Sequence, residues 1–387
     1  MFSAFTIPAK LWLGFYFISF FFIWGVFLPF WGVWLEAQGL SSDDIGLLFS
    51  IGLILRFVSS VGLLPNVSTG PGTLRLLRIL AFLALLSFSF LLYERGEIWL
   101  SIITLFVNFL LAPMMPLGDI IGNRLVKQIN LDYGRVRLWG SLSFIVGSTC
   151  IGWLITQYGK EAILWTIIVA GLLMWILTLL KLAPALEDAG NVRKKHESSL
   201  FSLFKRRNVL LFILIVGGIQ GAHGAYYAFS SIYWARAGIP EVTIAWLWGI
   251  SVFAEVILMR FNTKFFSRWS IKQMFLLGLI ASIIRWFVFS QTTDVYILGV
   301  VQTFHAMTFA VTHLATIRYI GLQNNAEMVR YQSLYSGVGL GLMTALFTYI
   351  SGVMFESLQG NIFLIMSILL IPVLWCLKVW RIESDHP

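Results

Sequence analysis

The residues of this 387-residue chain that could do chemistry are the ionisable ones set inside otherwise apolar runs. A charge at bilayer depth needs a partner or an aqueous cavity, so each is a candidate site. The first pair is Asp119, in PMMPLGDIIGNRL, and Arg137, in LDYGRVRLWGSLSFIVGS. Asp119 precedes the end of one apolar run by about five residues, and Arg137 follows the start of the next by about five. At a rise of 1.5 Å per residue both sit roughly 8 Å from helix ends joined by a single loop. The depths match, and an ion pair is expected, either as architecture or as a ligand contact. The planar fork of Arg137 also suits a carboxylate. Arg135 lies nearer the loop and reads as a topology charge.

Three further groups stand out. Glu255 is a lone carboxylate in SVFAEVILMRF, a position suited to reversible proton carriage. Gln220, His223, Tyr226, Tyr227 and Ser230 recur at spacings of three, four and seven, which places them on one helix face. His305, Thr308, Thr312, His313 and Arg318 share a later run; His305 and His313 differ by about 80° around a regular helix, so both can border one cavity. Histidine is a natural proton relay, and each of these histidines reads equally well as a hydrogen-bonded contact between helices. Arg318 is close enough to a helix end to snorkel. Arg285 is read as structural.

The elements that must hold these residues follow from composition. Charged residues make up 12% of the chain, against about 25% in soluble domains, and the mean hydropathy is +0.84. Apolar runs of about 20 residues, the length that spans a bilayer as a helix, fall at 10–35, 44–65, 74–93, 98–123, 133–157, 161–182, 209–235, 242–261, 273–291, 295–319, 332–354 and 361–380. The expected fold is therefore an all-α membrane protein of twelve transmembrane helices. The first run is read as a retained span rather than a signal peptide. A polar stretch containing Arg193, Lys194, Lys195, Lys205, Arg206 and Arg207 divides two sets of six. This gives an N-terminal bundle at 1–182, a linker at 183–208 and a C-terminal bundle at 209–387. Lys and Arg concentrate in the loops on the linker's side. Both termini and the linker are expected to be cytoplasmic in a multi-pass inner-membrane protein.

The net charge of +9 is a topology signal and implies no nucleic acid. Cys150 and Cys376 lie in apolar runs without ligand spacing, and no metal or cofactor is expected. The sequence has no Walker A loop and no dinucleotide-binding unit, so enzyme chemistry is not expected and an ion gradient is the energy source.

The two halves repeat. At a fixed offset Gly25 meets Gly224, Phe30 meets Phe229, Trp34 meets Tyr233, Gly39 meets Gly238 and Ile45 meets Ile244. The polar stripe that starts at Gln220 meets Phe21, Trp24, Phe27, Leu28 and Trp31, and Glu255 meets Arg56. One aromatic and one polar wall would suit a flat amphipathic acid, although an aromatic stripe also serves plain packing. Opposite charges at Arg56 and Glu255 suggest an electrostatic link between the halves.

Twelve spans, a basic central loop and a parallel repeat resemble the major facilitator superfamily, whose two six-helix bundles are pseudo-symmetric. GRVRLWGSLSFIVGS is similar to the fifth-helix motif of its proton-linked symporters for sugars and nucleosides. GVFLPFWGVWL, LDYGRVRLWGS, QGAHGAYYAFSSIYW, VFAEVI and TFHAMTFAVTHLATIRYI resemble the 3-phenylpropionate transporter family within that group. The Gly-Asp-Arg-rich loop of the superfamily is degenerate here, LLPNVSTGPGTLRLL. The resemblance implies substrate contact by Asp119 and Arg137, where sugar symporters hold a Glu–Arg pair, and a functional acid at Glu255.

The expected activity is proton-driven import of an aromatic carboxylate by a monomer. The expected substrate site comprises Arg137, Asp119, Trp24, Phe27, Trp31, His223, Tyr226 and Tyr227. Glu255, Asp119, His313 and His305 are the proton-coupling groups. The partners are a small molecule, a proton and membrane lipid. A sugar or nucleoside symporter and a drug efflux carrier are the alternatives; the aromatic excess and few amides argue against a polyol.

Overall fold

The computed structural model describes residues 6–67, 69–187, 203 and 205–382. Most of the 183–208 linker, including Arg193 to Lys195, lies outside the described residues. Among the described residues, twelve helices are long and apolar enough to cross a membrane. They are α1 (Ala9–Ala37), α2 (Ser42–Leu63), α3 (Gly70–Phe90), α4 (Glu97–Ile129), α5 (Tyr133–Tyr158), α6 (Ala162–Leu179), α7 (Arg207–Arg236), α8 (Glu241–Arg260), α9 (Ile271–Gln291), α10 (Val295–Gly321), α11 (Arg330–Leu358) and α12 (Asn361–Val379). The shortest, α6, has 18 residues, about 27 Å of helix, close to the thickness of a hydrocarbon core. Large apolar side chains such as Val146, Trp153, Trp165, Leu173 and Trp375 are exposed on the outer surface, as lipid-facing residues must be.

Some helix starts are capped by polar side chains, which satisfy amides that have no partner within the helix. Asp132 accepts from the Arg135 amide at 3.1 Å at the start of α5. Asp294 accepts from the Tyr296 and Ile297 amides at 2.9 and 3.0 Å at the start of α10. Ser270 and Gln273 cap each other at the start of α9. Two parallel strands, β1 (Thr6–Pro8) and β2 (Lys181–Ala183), pair Thr6 with Lys181 and Pro8 with Ala183, and so tie the lead into α1 to the exit from α6. Sequence periodicity gives no sign of these three-residue strands.

Several spans are interrupted. Helix α4 breaks at Ala112–Pro113 into Glu97–Leu111 and Met114–Ile129; the proline has no N–H and its ring clashes with the preceding turn. Helix α7 breaks at Ala222. Helices α10 and α11 each contain a π segment, Ala306–Val311 and Tyr335–Leu342. Such widened turns are frequent at functional sites.

The repeat is visible in the backbone. Gly39 and Gly238, which the fixed offset pairs, both have positive φ, +99° and +83°. Each terminates its helix in the same way. The Leu40 amide returns to the Leu35 carbonyl at 3.2 Å and the Ile239 amide to the Trp234 carbonyl at 2.9 Å. This is the Schellman arrangement, with a buried apolar residue after the glycine.

The chain forms two compact units. The first comprises 1–41, 51–193 and 240–249, and the second 42–50, 194–239 and 250–387. Thus the first turns of α2 cluster with the second unit, and those of α8 with the first. In the second unit a Cβ on Gly46 would lie 2.5 Å from the Gly352 Cα, so α2 and α11 cross backbone to backbone. Beside that crossing the Ser42 hydroxyl donates to Glu356 at 2.5 Å and Arg236 pairs with Glu356 at 2.9 Å. In the first unit a Cβ on Gly152 of α5 would lie 2.8 Å from the Ala245 Cβ of α8. Ala245 is the repeat counterpart of Gly46, so each unit has the same small-residue crossing. Helix α7 is the most enclosed span, with 89% of its most apolar window buried. The helix expected to carry the polar stripe is therefore the core of the second unit.

Candidate functional site

In the first unit, Asp119 sits on the part of α4 that follows the Pro113 break. The Tyr133 hydroxyl donates to its Oδ1 at 2.5 Å. Arg137 lies one turn beyond Tyr133 on α5. Its guanidinium stands over the Phe21 ring at 4.1 Å and the Phe17 ring at 5.3 Å. The expected Asp119–Arg137 ion pair does not form. Tyr133 and Arg137 share a face of α5, and the tyrosine ring reaches the short aspartate side chain first. Gly122 on α4 makes room for it, because a Cβ there would lie 2.5 Å from the Tyr133 ring. Arg137 is half-buried, and among the described residues no carboxylate pairs with it.

Trp24, Phe27 and Trp31 form a ladder on α1, with centroids 5.5 and 5.4 Å apart, that continues to Trp34 at 4.7 Å. Phe88 of α3 meets Phe27 and Trp31 edge-on at 6.1 and 5.4 Å. The Trp31 indole N–H donates to Thr104 Oγ1 at 3.2 Å. Trp31 has no exposed surface and Phe27 only 5%. The expectation of an aromatic cavity wall is corrected here: both residues pack the interior of the unit. Trp24 is the member of the trio that keeps accessible surface, and the Arg56 guanidinium lies 4.7 Å over its ring.

In the second unit the expected residues converge, around a residue read from the sequence as structural. Arg285 of α9 is fully buried. One terminal nitrogen lies 3.1 Å from His305 Nδ1 and 3.2 Å from Thr308 Oγ1. The other donates to Gln302 Oε1 at 2.6 Å. Tyr226, Trp286 and Phe289 place their rings 4.6, 4.6 and 5.4 Å from the guanidinium. Among the described residues its Nε–H has no acceptor. Gln302 in turn donates to the Tyr226 hydroxyl at 3.0 Å. On the far side of His305, Nε2 lies 3.6 Å from a Glu255 carboxylate oxygen. Glu255 is partly exposed, with 26% of its side chain accessible.

His223 joins the same network. Its Nδ1 lies 3.0 Å from the Ile219 carbonyl and 3.2 Å from the Gln220 carbonyl. Its Nε2 lies 3.0 Å from Thr308 Oγ1. The ring stacks on Tyr227 at 5.7 Å and meets His305 edge-on at 5.4 Å. His313 stands apart from these contacts, with Nδ1 2.8 Å from the Tyr335 hydroxyl. Phe309 lies between the two α10 histidines, stacked on His305 at 5.3 Å and on His313 at 6.5 Å, within 12° and 9° of parallel. These three rings, spaced four residues apart, share one face of α10 along the Ala306–Val311 segment.

Tyr226, Tyr227, His223, His305 and Glu255 are thus brought into one network, while Asp119 and Arg137 are held apart by Tyr133. Two participants were not singled out: Tyr133, the first residue of the 133–157 run, and Gln302, within the 295–319 run. Arg285 carried a clear signal, a charge well inside an apolar run, but was read as structural. Arg318 donates to the Phe266 carbonyl at 2.8 Å and so ties α10 to the α8–α9 connection. Among the described residues no three His, Cys, Asp or Glu side chains cluster as a metal site.

The MFS_1 like family model matches residues 11–366. The chain is similar to the "probable 3-phenylpropionic acid transporter" of Escherichia coli K12, with 36% identity covering 94% of this chain and 96% of that one. It is similar to the maltose permease of Geobacillus stearothermophilus, with 25% identity covering 92% and 90%. Among solved structures, the nucleoside transporter NupG superposes with a TM-score of 0.80 at 17% identity, covering 96% of this chain and 100% of that one. A D-xylose–proton symporter superposes with a TM-score of 0.69 at 13% identity, covering 96% and 97%.

Proposed function

The chain belongs to the MFS_1 like family of the major facilitator superfamily, multi-pass secondary transporters rather than enzymes, and on that premise we propose that it imports 3-phenylpropionate or a related aromatic carboxylate together with a proton. The observation that carries this reading is Arg137. It is a half-buried guanidinium on a membrane-spanning helix, with phenylalanine rings at 4.1 and 5.3 Å and no carboxylate partner among the described residues. An arylpropionate supplies the carboxylate that the fork lacks, and its flat ring suits a place beside Phe21. The name printed for the 36% identical relative supports the same substrate class.

In this reading Arg137, Trp24 and Tyr227 contact substrate, and His223 and Tyr226 hold Tyr227 and the surrounding helices in place. The proton is handled by the acid and histidine set, Glu255, Asp119, His305 and His313. Import is driven by the proton gradient, with no cofactor. The protein works as a monomer in the bacterial inner membrane, with an N-terminal bundle at 1–182, a C-terminal bundle at 209–387, and both termini and the 183–208 linker in the cytoplasm.

The test is uptake of labelled phenylpropionate into proteoliposomes with and without an imposed pH gradient. Uptake should be concentrative only with the gradient. Arg137→Lys, which keeps the charge but loses the fork, should raise the half-saturating concentration about tenfold. Uptake that survives an uncoupler would sink symport. Competition by maltose or a nucleoside instead of phenylpropionate would favour the sugar and nucleoside relatives.

A further inference from the structure

The connection between α8 and α9, FNTKFFSRWS at 261–270, stands where two spans leave the apolar layer. Arg260, Lys264, Arg268 and Lys272 recur in and beside it at every fourth residue, and no acidic residue occurs between Glu255 and Asp294. Arg260, Lys264 and Arg268 are exposed. Among the described residues none of the four cations has a carboxylate partner. Phe261, Phe265 and Trp269 are exposed beside them. A basic loop alone is a topology signal. Cations interleaved with exposed aromatic rings go further, because both gain at the boundary between hydrocarbon and lipid headgroups. The matching connection of the first half, LPNVST at 64–69, has neither a cation nor an aromatic residue, so topology does not demand the pattern.

Two grooves open on the same patch. The first, of about 460 Å³, starts at Arg268 and Trp269 and runs along Gln273, Leu276, Leu277 and Ile280. Spacings of three and four put these α9 residues on one face, over about 10 Å of helix. Leu276 and Ile280 are exposed on the outer surface. The second groove, of about 400 Å³, lies among Ile257 of α8, Phe265 and Phe266 of the connection, Leu277 of α9 and Met307 of α10. Leu277 lines both. The mouth of the first groove is held in place. Arg318 of α10 donates to the Phe266 carbonyl at 2.8 Å and reaches the Trp269 carbonyl at 3.4 Å. The buried Phe266 ring meets Trp269 edge-on at 5.4 Å. We propose that this patch binds an anionic two-chain phospholipid, with its phosphate at Arg268, its acyl chains in the two grooves, and Arg260, Lys264 and Lys272 adding to the attraction. Charge complementarity selects this occupant. A lipid with net negative charge meets cations that no carboxylate already neutralises, whereas a zwitterionic lipid brings its own cation. A soluble phosphate would leave both apolar grooves unused. The site does not depend on which solute the protein carries.

The experiment is native mass spectrometry of the full chain, released from detergent micelles doped with phosphatidylglycerol or phosphatidylcholine carrying the same dioleoyl chains. The native protein should hold phosphatidylglycerol about tenfold or more tighter than phosphatidylcholine. Each cation near the headgroup contributes about fivefold, so Arg268→Gln combined with Lys264→Gln should weaken phosphatidylglycerol about thirtyfold and leave phosphatidylcholine within about twofold. The control is Arg75→Gln combined with Lys127→Gln, which removes two exposed cations of the first unit and should leave both lipids within about twofold. Ile280→Trp fills the first groove from an exposed position without touching a charge, and should weaken phosphatidylglycerol about fivefold or more. Equal affinity of the native protein for the two lipids overturns the proposal, whatever the variants do. An equal loss in the control pair would reduce the effect to net charge and also overturn it. Phosphatidylglycerol binding unchanged in Ile280→Trp would remove the acyl chain from the groove. Competition by glycerol 3-phosphate at the lipid's own concentration would mark a site for a soluble anion, and the lipid site would fall.

Discussion

Thr308 is the single hydroxyl on which the polar network of the second unit turns, and Thr308→Val removes it with almost no change of shape. The hydroxyl accepts from Arg285 on α9 at 3.2 Å and pairs with His223 on α7 at 3.0 Å, so it joins three helices. Hydrogen bonds between helices in membrane proteins contribute about 0.6 kcal/mol on average and up to about 1.7. Two such bonds give roughly 1–3 kcal/mol. The upper part of that range is expected, because His223 Nε2 is left fully buried without a donor. The control is Thr316→Val on the same helix. Thr316 is equally buried, but its hydroxyl bonds only to the Thr312 carbonyl of its own helix at 2.8 Å, so its loss should cost about 0.5 kcal/mol. Reversible unfolding by detergent titration in mixed micelles, read by circular dichroism, measures both. A double-mutant cycle of Thr308→Val with His223→Phe isolates the pair and should return a coupling of about 0.6–1.7 kcal/mol. Equal costs for the two threonines, or strict additivity in the cycle, would refute the network as drawn.

Two further outcomes follow from the packing. Gly46→Val places side-chain carbons where the Gly352 backbone already lies, 2.5 Å from the new Cβ; backbone cannot yield as a flexible side chain can, so uptake should fall at least tenfold, whereas Gly14→Ala, with nothing within 4 Å, should leave uptake within twofold. Trp31→Phe removes a buried indole and its bond to Thr104 and should cost about 2–3 kcal/mol of unfolding stability with little change in the half-saturating substrate concentration. Trp24→Leu, at the accessible member of the ladder, should do the reverse, and matched effects on both measurements would remove Trp24 from the substrate site.

The sequence by itself determined the helices. Hydrocarbon leaves a backbone no partner but its own turn, so each apolar run of sufficient length had one outcome, and the twelve spans lie within a few residues of where hydropathy places them. The repeat was legible for a similar local reason: Gly39 and Gly238 end their helices in a conformation that favours glycine, whatever surrounds them. The stripe of Gln220, His223 and Tyr226 on one face of α7 was also fixed by period alone.

Which groups meet was decided in three dimensions. Asp119 and Arg137 have matching depths, but a neighbouring tyrosine on the same face of α5 takes the aspartate, and depth along a helix contains no information about which side chain arrives first. The Trp31 and Phe27 rings follow the same periodicity as a cavity wall and are instead packed against Phe88, because periodicity defines a face and not what covers it. Arg285 carried its signal in the sequence, but its meaning depended on His305, Thr308 and Gln302 of α10 standing opposite, and on a π segment that no spacing rule for a regular helix anticipates. The contacts of His305 with Arg285 and of His223 with Thr308 join different helices, so they could not be read from any one of them.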